Sequence, residues 1–220
     1  MIHVFGDSWA YGYGLEHRER DCFGGLIGHH YGEPVKNYAI PASSMGHVTY
    51  EFMKQRHTFK QNDKVLVIIP PDVRWYRIED GFATSLFNGM PLYEDWLEKH
   101  ATLEWFIYNH SMFIHTLISA SKQTNINLVL AHNYGNLKIH AHFENLIDTN
   151  FLLDKDKSLC YLLSGSEKWA GNYTISANNS MQEIQHPMFI VGDNHPNELG
   201  HKQIAELMIR KLDNELPTFN

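Results

Sequence analysis

Four short apolar segments are spaced along the chain like strands, and most of what lies between them repeats with the period of a helix. Ile2–Phe5 runs into Gly6 as expected of a buried parallel strand, and Val35–Ile40, Lys64–Ile69 and Ile126–Ala131 read as three more strands. Helices are expected over Asp21–Tyr31, Ser44–Phe59 and Leu103–Ser121. In the last of these, Leu103, Phe106, Ile107, His110, Phe113, Ile114, Leu117 and Ile118 fall on one face. A final helix carries Ile204, Leu207, Met208 and Leu212 as its stripe, with Glu198 in the first turn and Arg210 and Lys211 in the last, as the helix dipole favours. Strands alternating with helices predict an α/β domain, a three-layer α/β/α sandwich around a parallel sheet of flavodoxin-like type.

Two stretches break the rhythm. One, near 73–102, holds Trp75, Tyr76, Phe82, Phe87, Tyr93 and Trp96 without a sustained period; the other spans 133–187 and contains Phe151–Leu153 and Leu159–Leu163. Both follow the carboxyl ends of predicted strands, where open α/β sheets bind ligands, so they are expected to be insertions that wall a pocket within a single domain, residues 1–220. The ordinary alternative is that their aromatic residues pack the insertions onto the body.

Composition narrows the partners. Against 25 Asp and Glu the chain has 18 Lys and Arg, a formal charge of −7, and no basic cluster, which argues against nucleic acid because phosphate neutralisation needs a basic face. A mean hydropathy of −0.36, with no apolar run near eighteen residues, argues against a membrane span. Cys22 and Cys160 stand far apart with no zinc spacing and read as reduced thiols. Residues 1–5 lead straight into Gly6-Asp7-Ser8 with no leader signature, so the expected compartment is the cytoplasm.

The chemistry is carried by two segments at opposite ends of the chain. Ser8 directly follows the first strand, among glycines that leave its hydroxyl exposed at the sheet edge and its backbone N–H available to a developing oxyanion. Asp193-Asn194-His195-Pro196-Asn197 precedes the final helix. A serine hydroxyl is a poor nucleophile until an imidazole takes its proton and a carboxylate fixes the imidazole tautomer, and Ser8, His195 and Asp193 supply the three residue types. Read separately, Gly6-Asp7-Ser8 is an ordinary turn or helix cap, and the second segment is a loop capped by Asn197. Only His3 and Asp7 precede Ser8, which excludes the chymotrypsin order, and no Gly-x-Ser-x-Gly elbow is present.

The Gly6-Asp7-Ser8 opening, the segment Asn37-Tyr38-Ala39-Ile40-Pro41-Ala42-Ser43-Ser44 and the ending Asp193-Asn194-His195-Pro196-Asn197 together resemble the SGNH (GDSL-like) hydrolases, a superfamily of α/β esterases, lipases, carbohydrate acetylesterases and related acyltransferases. The likeness covers the chain to about residue 70 and again from about residue 190. It implies Ser8 as nucleophile, His195 as general base, Asp193 as its orienting partner, and the N–H groups of Ser8 and Ala42 as the oxyanion hole. The family commonly places glycine where Ala42 stands. Its third block reads Gly-x-Asn-Asp, with the asparagine amide as a further oxyanion donor, whereas Ile69-Pro70-Pro71-Asp72 stands here and Pro71 has no N–H to give. Losing one such donor costs roughly 10²–10³ in rate, so Arg74 and Asn133 are the candidate replacements. A single residue separates Asp193 from His195 where the family more often has two, a shorter spacing used by some acyltransferase-like branches, and Asp72 is the reserve carboxylate.

The expected function is hydrolysis of a small or carbohydrate-borne ester through an acyl-enzyme, without cofactor or metal. The alternatives are an acyltransferase of the same fold and an inactive carbohydrate-binding or assembly module. Gly12-x-Gly14 lacks the third glycine of a dinucleotide fingerprint, and no Walker A sequence occurs. His132, His140 and His142 lack a spaced carboxylate or thiol that would complete a metal site, and like His29, His30 and His47 they read as structural or solvated residues.

Overall fold

The computed structural model describes residues 1–71, 102–165, 186–191 and 193–214, and the backbone alone of 74–76 and 83–85. In chain order its elements are β1 (Ile2–Phe5), α1 (Ser8–Tyr11), α2 (Arg18–Asp21), α3 (Phe23–Tyr31), β2 (Val35–Asn37), α4 (Met45–Gln55), β3 (Lys64–Ile69), β4 (Arg74–Tyr76), β5 (Ala83–Ser85), α5 (Leu103–Thr124), β6 (Asn127–His132), α6 (Leu159–Ser164), β7 (Phe189–Ile190), β8 (Asp193–Pro196) and α7 (Glu198–Leu212). β1, β2, β3 and β6 form a parallel sheet in the order β2-β1-β3-β6, with Ile2 opposite both Val35 and Lys64, and Lys64 opposite Asn127. This is the three-layer flavodoxin-like α/β architecture, and its strand order reverses direction between β1 and β3.

Alternation along each strand sorts the core into two layers. Ile2, Val4, Leu66, Ile68, Val129 and Ala131 face α3, α6 and α7, where Phe23, Ile27, Leu159, Ile204 and Met208 cover them. Phe5, Val65, Val67, Ile69, Leu128 and Leu130 face α4 and α5, covered by Phe52, Ile114 and Leu117. Because both faces are apolar, truncating a residue such as Ile68, which is fully buried, removes about 2–5 kcal/mol.

Several boundaries differ from expectation for local reasons. β2 is regular only to Asn37, whose side chain accepts the Ala39 N–H at 3.0 Å in an Asx turn, while the Tyr38 and Ile40 N–H groups still bond the Val4 and Gly6 carbonyls at 2.8 and 3.2 Å. The helix expected over Asp21–Tyr31 is two helices, α2 and α3, broken where Cys22 takes an extended ψ of 155°. α4 begins after its cap Ser44 and ends at Gln55, with a 3₁₀ turn over Arg56–Thr58. α5 runs three residues past Ser121 to Thr124, until Asn125 ends it in the left-handed region, and the following strand is Asn127–His132. Asp193–Pro196 is a strand rather than a loop, paired antiparallel with β7.

Of the two aperiodic stretches, 73–102 lies almost wholly outside the described residues, as does 166–185. The described part of the second is not loop alone: Leu152 bridges Leu130, the Leu153 N–H donates to the Leu130 carbonyl at 2.7 Å, and Leu153, Leu159 and Leu163 join the core. Cys22 and Cys160 are both buried and form no disulfide, and burial pushes the Cys160 thiol up to about 12. Among the described residues no helix is long and apolar enough to cross a membrane.

Candidate active site

The site begins where β1 ends. Gly6 holds φ +144°, and a Cβ there would lie 2.7 Å from the Ala10 Cβ and 2.9 Å from the Ile68 carbonyl oxygen, so the chain can turn against β3 only as glycine. Asp7 caps α1, its carboxylate accepting the Trp9 N–H at 3.1 Å. The helix-cap reading of this motif is therefore correct for Asp7. It also sets up Ser8, which stands at the first helical position, where its N–H has no intrahelical acceptor.

The other half arrives from the end of the chain on β8. Ser8 Oγ lies 2.8 Å from His195 Nε2, across 187 residues of sequence, and His195 Nδ1 bonds the Asp193 carboxylate. A tautomer with Nδ1–H donating to Asp193 and Nε2 accepting the Ser8 hydroxyl proton satisfies both contacts. Ser8 is 7% exposed, while the His195 and Asp193 side chains are 22% and 36% exposed, so the hydroxyl is shielded but reachable. Asn197 fixes the approach of β8 to α7. Its side chain donates to the Pro187 carbonyl at 2.7 Å and accepts the Gly200 N–H at 3.1 Å as the helix cap.

Ala42 is in the turn that follows β2. Ser43 N–H donates to the Ile40 carbonyl at 3.1 Å, Pro41 fills the first central position, and Ala42 has φ +63°. Proline followed by a positive φ is the type II pattern, which favours glycine at the second position. Ala42 keeps its N–H, but in a left-handed conformation that costs about 1–2 kcal/mol for a residue with a Cβ. The turn is moored beside the Ser8 segment by Ile40 N–H to the Gly6 carbonyl, 3.2 Å.

Asn133, a candidate replacement donor, is fully buried and employed elsewhere: its Nδ2 donates to Asp7 Oδ2 at 2.8 Å, and its Oδ1 accepts the Tyr134 N–H at 2.9 Å. Asp72 and the Arg74 side chain lie outside the described residues. Two residues that sequence reasoning did not select adjoin the site. The half-exposed Tyr13 ring tilts against His195 at 4.9 Å, next to an open depression of about 600 Å³ lined by residues 11–20. Tyr134 donates its hydroxyl to the Asn194 carbonyl at 2.6 Å. Its place immediately after the last parallel strand, on the carboxyl edge of the sheet, is the signal that marks it.

Elsewhere His140 and His142 stack at 4.8 Å, and Glu104 Oε1 comes within 3.4 Å of His140 Nε2, a carboxylate that sequence spacing did not reveal. Among the described residues, nonetheless, no group of three or more His, Cys, Asp or Glu is arranged to hold a metal ion. His132 is buried away from that pair, and burial pushes it down to about 4. His201, on α7, is likewise held down to about 4 by burial and by the nearby His195. Its ring stacks on Phe23, and its Nδ1 accepts the Phe23 N–H at 3.3 Å.

No family model and no curated protein matches the chain. Solved structures do. One assigned to the lipolytic G-D-S-L family, from Desulfitobacterium hafniense, superposes with a TM-score of 0.53 at 14% identity over 96% of this chain and 98% of its own. The esterase EstA of a psychrotrophic Pseudoalteromonas, inhibited by monoethylphosphonate, gives 0.50 at 13% over 97% of each chain. An acetyl xylan esterase gives 0.50 at 16% over 95% and 98%. The chain has the fold of the SGNH hydrolases.

Proposed function

We propose that the protein is a serine-dependent ester hydrolase of the SGNH type, in which Ser8 is the nucleophile, His195 the general base and Asp193 the residue that orients it. The observation that carries this reading is the 2.8 Å contact between Ser8 Oγ and His195 Nε2, with Asp193 on the far side of the ring. Ser8 Oγ attacks the ester carbonyl as its proton passes to His195 Nε2, giving a tetrahedral oxyanion. The N–H groups of Ser8 and Ala42 donate to that oxygen. His195 then returns the proton to the leaving alkoxide, the C–O bond breaks and the acyl group stays on Ser8. Water, deprotonated by His195, attacks the acyl-enzyme, the bond between the acyl carbon and Ser8 Oγ breaks, His195 returns the proton to Ser8 Oγ and the acid leaves. No step needs a cofactor.

The substrate is a small or carbohydrate-borne ester, with an acyl or alcohol group resting along Tyr13. Support for that class comes from the aromatic ring at the open side of His195 and from a structural neighbour that is an acetyl xylan esterase. The single residue between Asp193 and His195, a spacing shared with acyltransferase-like branches, motivates the second reading, transfer of the acyl group to an alcohol.

Both are tested with p-nitrophenyl acetate and acetylated xylose, each with and without added alcohol. Hydrolysis by the intact protein is expected, falling by at least about 10⁴-fold in Ser8→Ala. Transfer outpacing hydrolysis would select the acyltransferase. Undiminished turnover by Ser8→Ala would overturn the assignment of Ser8.

A further inference from the structure

Three segments that are remote in sequence meet around one phenol. The Tyr134 hydroxyl accepts the Trp9 indole N–H at 3.0 Å and donates to the Asn194 carbonyl at 2.6 Å, so one oxygen joins the nucleophile helix to the strand that carries the acid and base. Trp9 follows Ser8 directly, and Asn194 lies between Asp193 and His195. The Tyr134 and Trp9 rings also meet edge to face with centroids 4.9 Å apart, and Trp9 packs in the same manner on Phe189 of β7 at 5.8 Å. Trp9 is 1% exposed, so this contact is a fixed wall rather than a surface encounter.

Tyr134 is itself held. Its N–H bonds Asn133 Oδ1, Asn133 Nδ2 bonds Asp7, and Asp7 bonds the Trp9 N–H, which returns the path to the residue whose indole touches the phenol. The path runs from the Asp7 cap through the exit of β6 to the backbone of β8 and back to α1. β8 pairs with the two-residue β7 and is no part of the parallel sheet, and the Tyr134 hydroxyl adds a direct bond from the Asn194 carbonyl to the body.

We infer that Tyr134 is a positioning residue: its hydroxyl clamps the Asn194 carbonyl to Trp9 and thereby sets the distance from His195 to Ser8. The inference rests on the esterase reading above for its kinetic consequence, but the clamp is a statement about structure as well. A displacement near 1 Å between nucleophile and base costs on the order of 10²-fold in rate. Tyr134→Phe keeps the ring and its packing and removes both hydrogen bonds.

The experiment compares intact protein, Tyr134→Phe and Trp9→Phe in three readouts: kcat and KM on p-nitrophenyl acetate, the second-order rate of inactivation by a fluorophosphonate, and backbone hydrogen exchange over residues 193–197. For Tyr134→Phe, kcat and the inactivation rate are expected to fall together by about 10- to 100-fold with KM within about twofold, and exchange over 193–197 to accelerate while the parallel sheet stays protected. Trp9→Phe, which leaves the Tyr134 donor in place, is expected to show a smaller change in the same direction, and it carries the test if Tyr134→Phe does not fold. Unchanged kcat and unchanged exchange in the folded variants would overturn the clamp. If the intact protein neither turns over nor reacts at Ser8, the esterase reading fails, and the exchange data still decide whether Tyr134 holds β8.

Discussion

Among the described residues two histidine–aspartate pairs stand apart, His3–Asp63 at the amino end of the parallel sheet and His195–Asp193 on β8 beside its carboxyl edge, and they differ in what the second ring nitrogen meets. At the amino end His3 Nε2 lies 3.3 Å from Asp63 Oδ2, with side chains 0% and 7% exposed. The His3 ring stands edge-on to Phe59 at 4.7 Å and parallel to Tyr38 at 6.0 Å, and its Nδ1 has no partner among the described residues. At the carboxyl end the His195–Asp193 pair is partly open to solvent, and the second ring nitrogen points at a hydroxyl. Burial lowers the pKa of His3 despite its carboxylate, so the imidazole stays uncharged and its contact with Asp63 is structural. An imidazole beside a carboxylate becomes a base only when its other nitrogen meets a proton to take and the site can admit a substrate.

The contrast is broken most severely by exchanging which carboxylate is lost. Asp193→Asn is expected to lower kcat/KM by roughly 10³–10⁴ through the wrong imidazole tautomer while leaving the unfolding midpoint nearly unchanged. Asp63→Asn is expected to do the reverse, leaving turnover intact and lowering stability by about 1–3 kcal/mol. Ester kinetics and urea unfolding on both variants decide the matter, and a rate loss in Asp63→Asn would show that the amino end is coupled to the site.

Acidification is next in size. His132 and His201 are held neutral by burial down to about 4, whereas an imidazole in the unfolded chain takes its proton near 6.5. Between those values the unfolded state binds more protons, so stability falls as pH drops, by up to about 3 kcal/mol for each histidine. Two carboxylates at the amino end act later. The Lys64 ammonium, 2.5 Å away, holds Glu33 below the ordinary range. Burial alone would raise Asp63, but the Lys60 N–H, the Met1 ammonium and His3 bring it below that range as well. Their contribution is present above the unfolded carboxylate pKa and is lost only as pH falls below about 4. Urea midpoints at pH 7.5, 5 and 3.5 should therefore decline in two stages, and equal midpoints at 7.5 and 5 would contradict the burial of the two histidines.

The smallest effect concerns the turn beside Ser8. Ala42→Gly relieves the positive φ but adds freedom to the unfolded chain, so a net gain of about 0.5 kcal/mol is expected, with turnover within about twofold. A loss of stability would mean that Ala42 is not in the left-handed region.

The pattern of apolar positions was enough to read the four parallel strands and the long helices, because alternation and the 3.6-residue period report directly on which faces are buried. It could not place their ends. Cys22 breaks a helix through one extended dihedral angle, and Asn37 interrupts a strand by accepting the Ala39 N–H two residues on, both local choices that an average pattern passes over. The proposed pair Ser8 and His195 was legible because each lies beside a recognisable boundary, the end of the first strand and the cap of the last helix. Tyr134 was not, since its meaning depends on three segments meeting in space and on no spacing along the chain. Asn133 shows the opposite hazard: an amide in a plausible place for an oxyanion donor is committed to Asp7.

The proposed mechanism makes Ser8 nucleophilic through His195. Its most direct test is to treat the folded protein with a fluorophosphonate, map the adduct by peptide mass and compare labelling rates with those of Ser8→Ala and His195→Ala. A single adduct on Ser8, absent from Ser8→Ala and at least about 10³-fold slower in His195→Ala, is the expected result. A folded protein that takes no label at Ser8, or that takes it equally fast without His195, would contradict that mechanism.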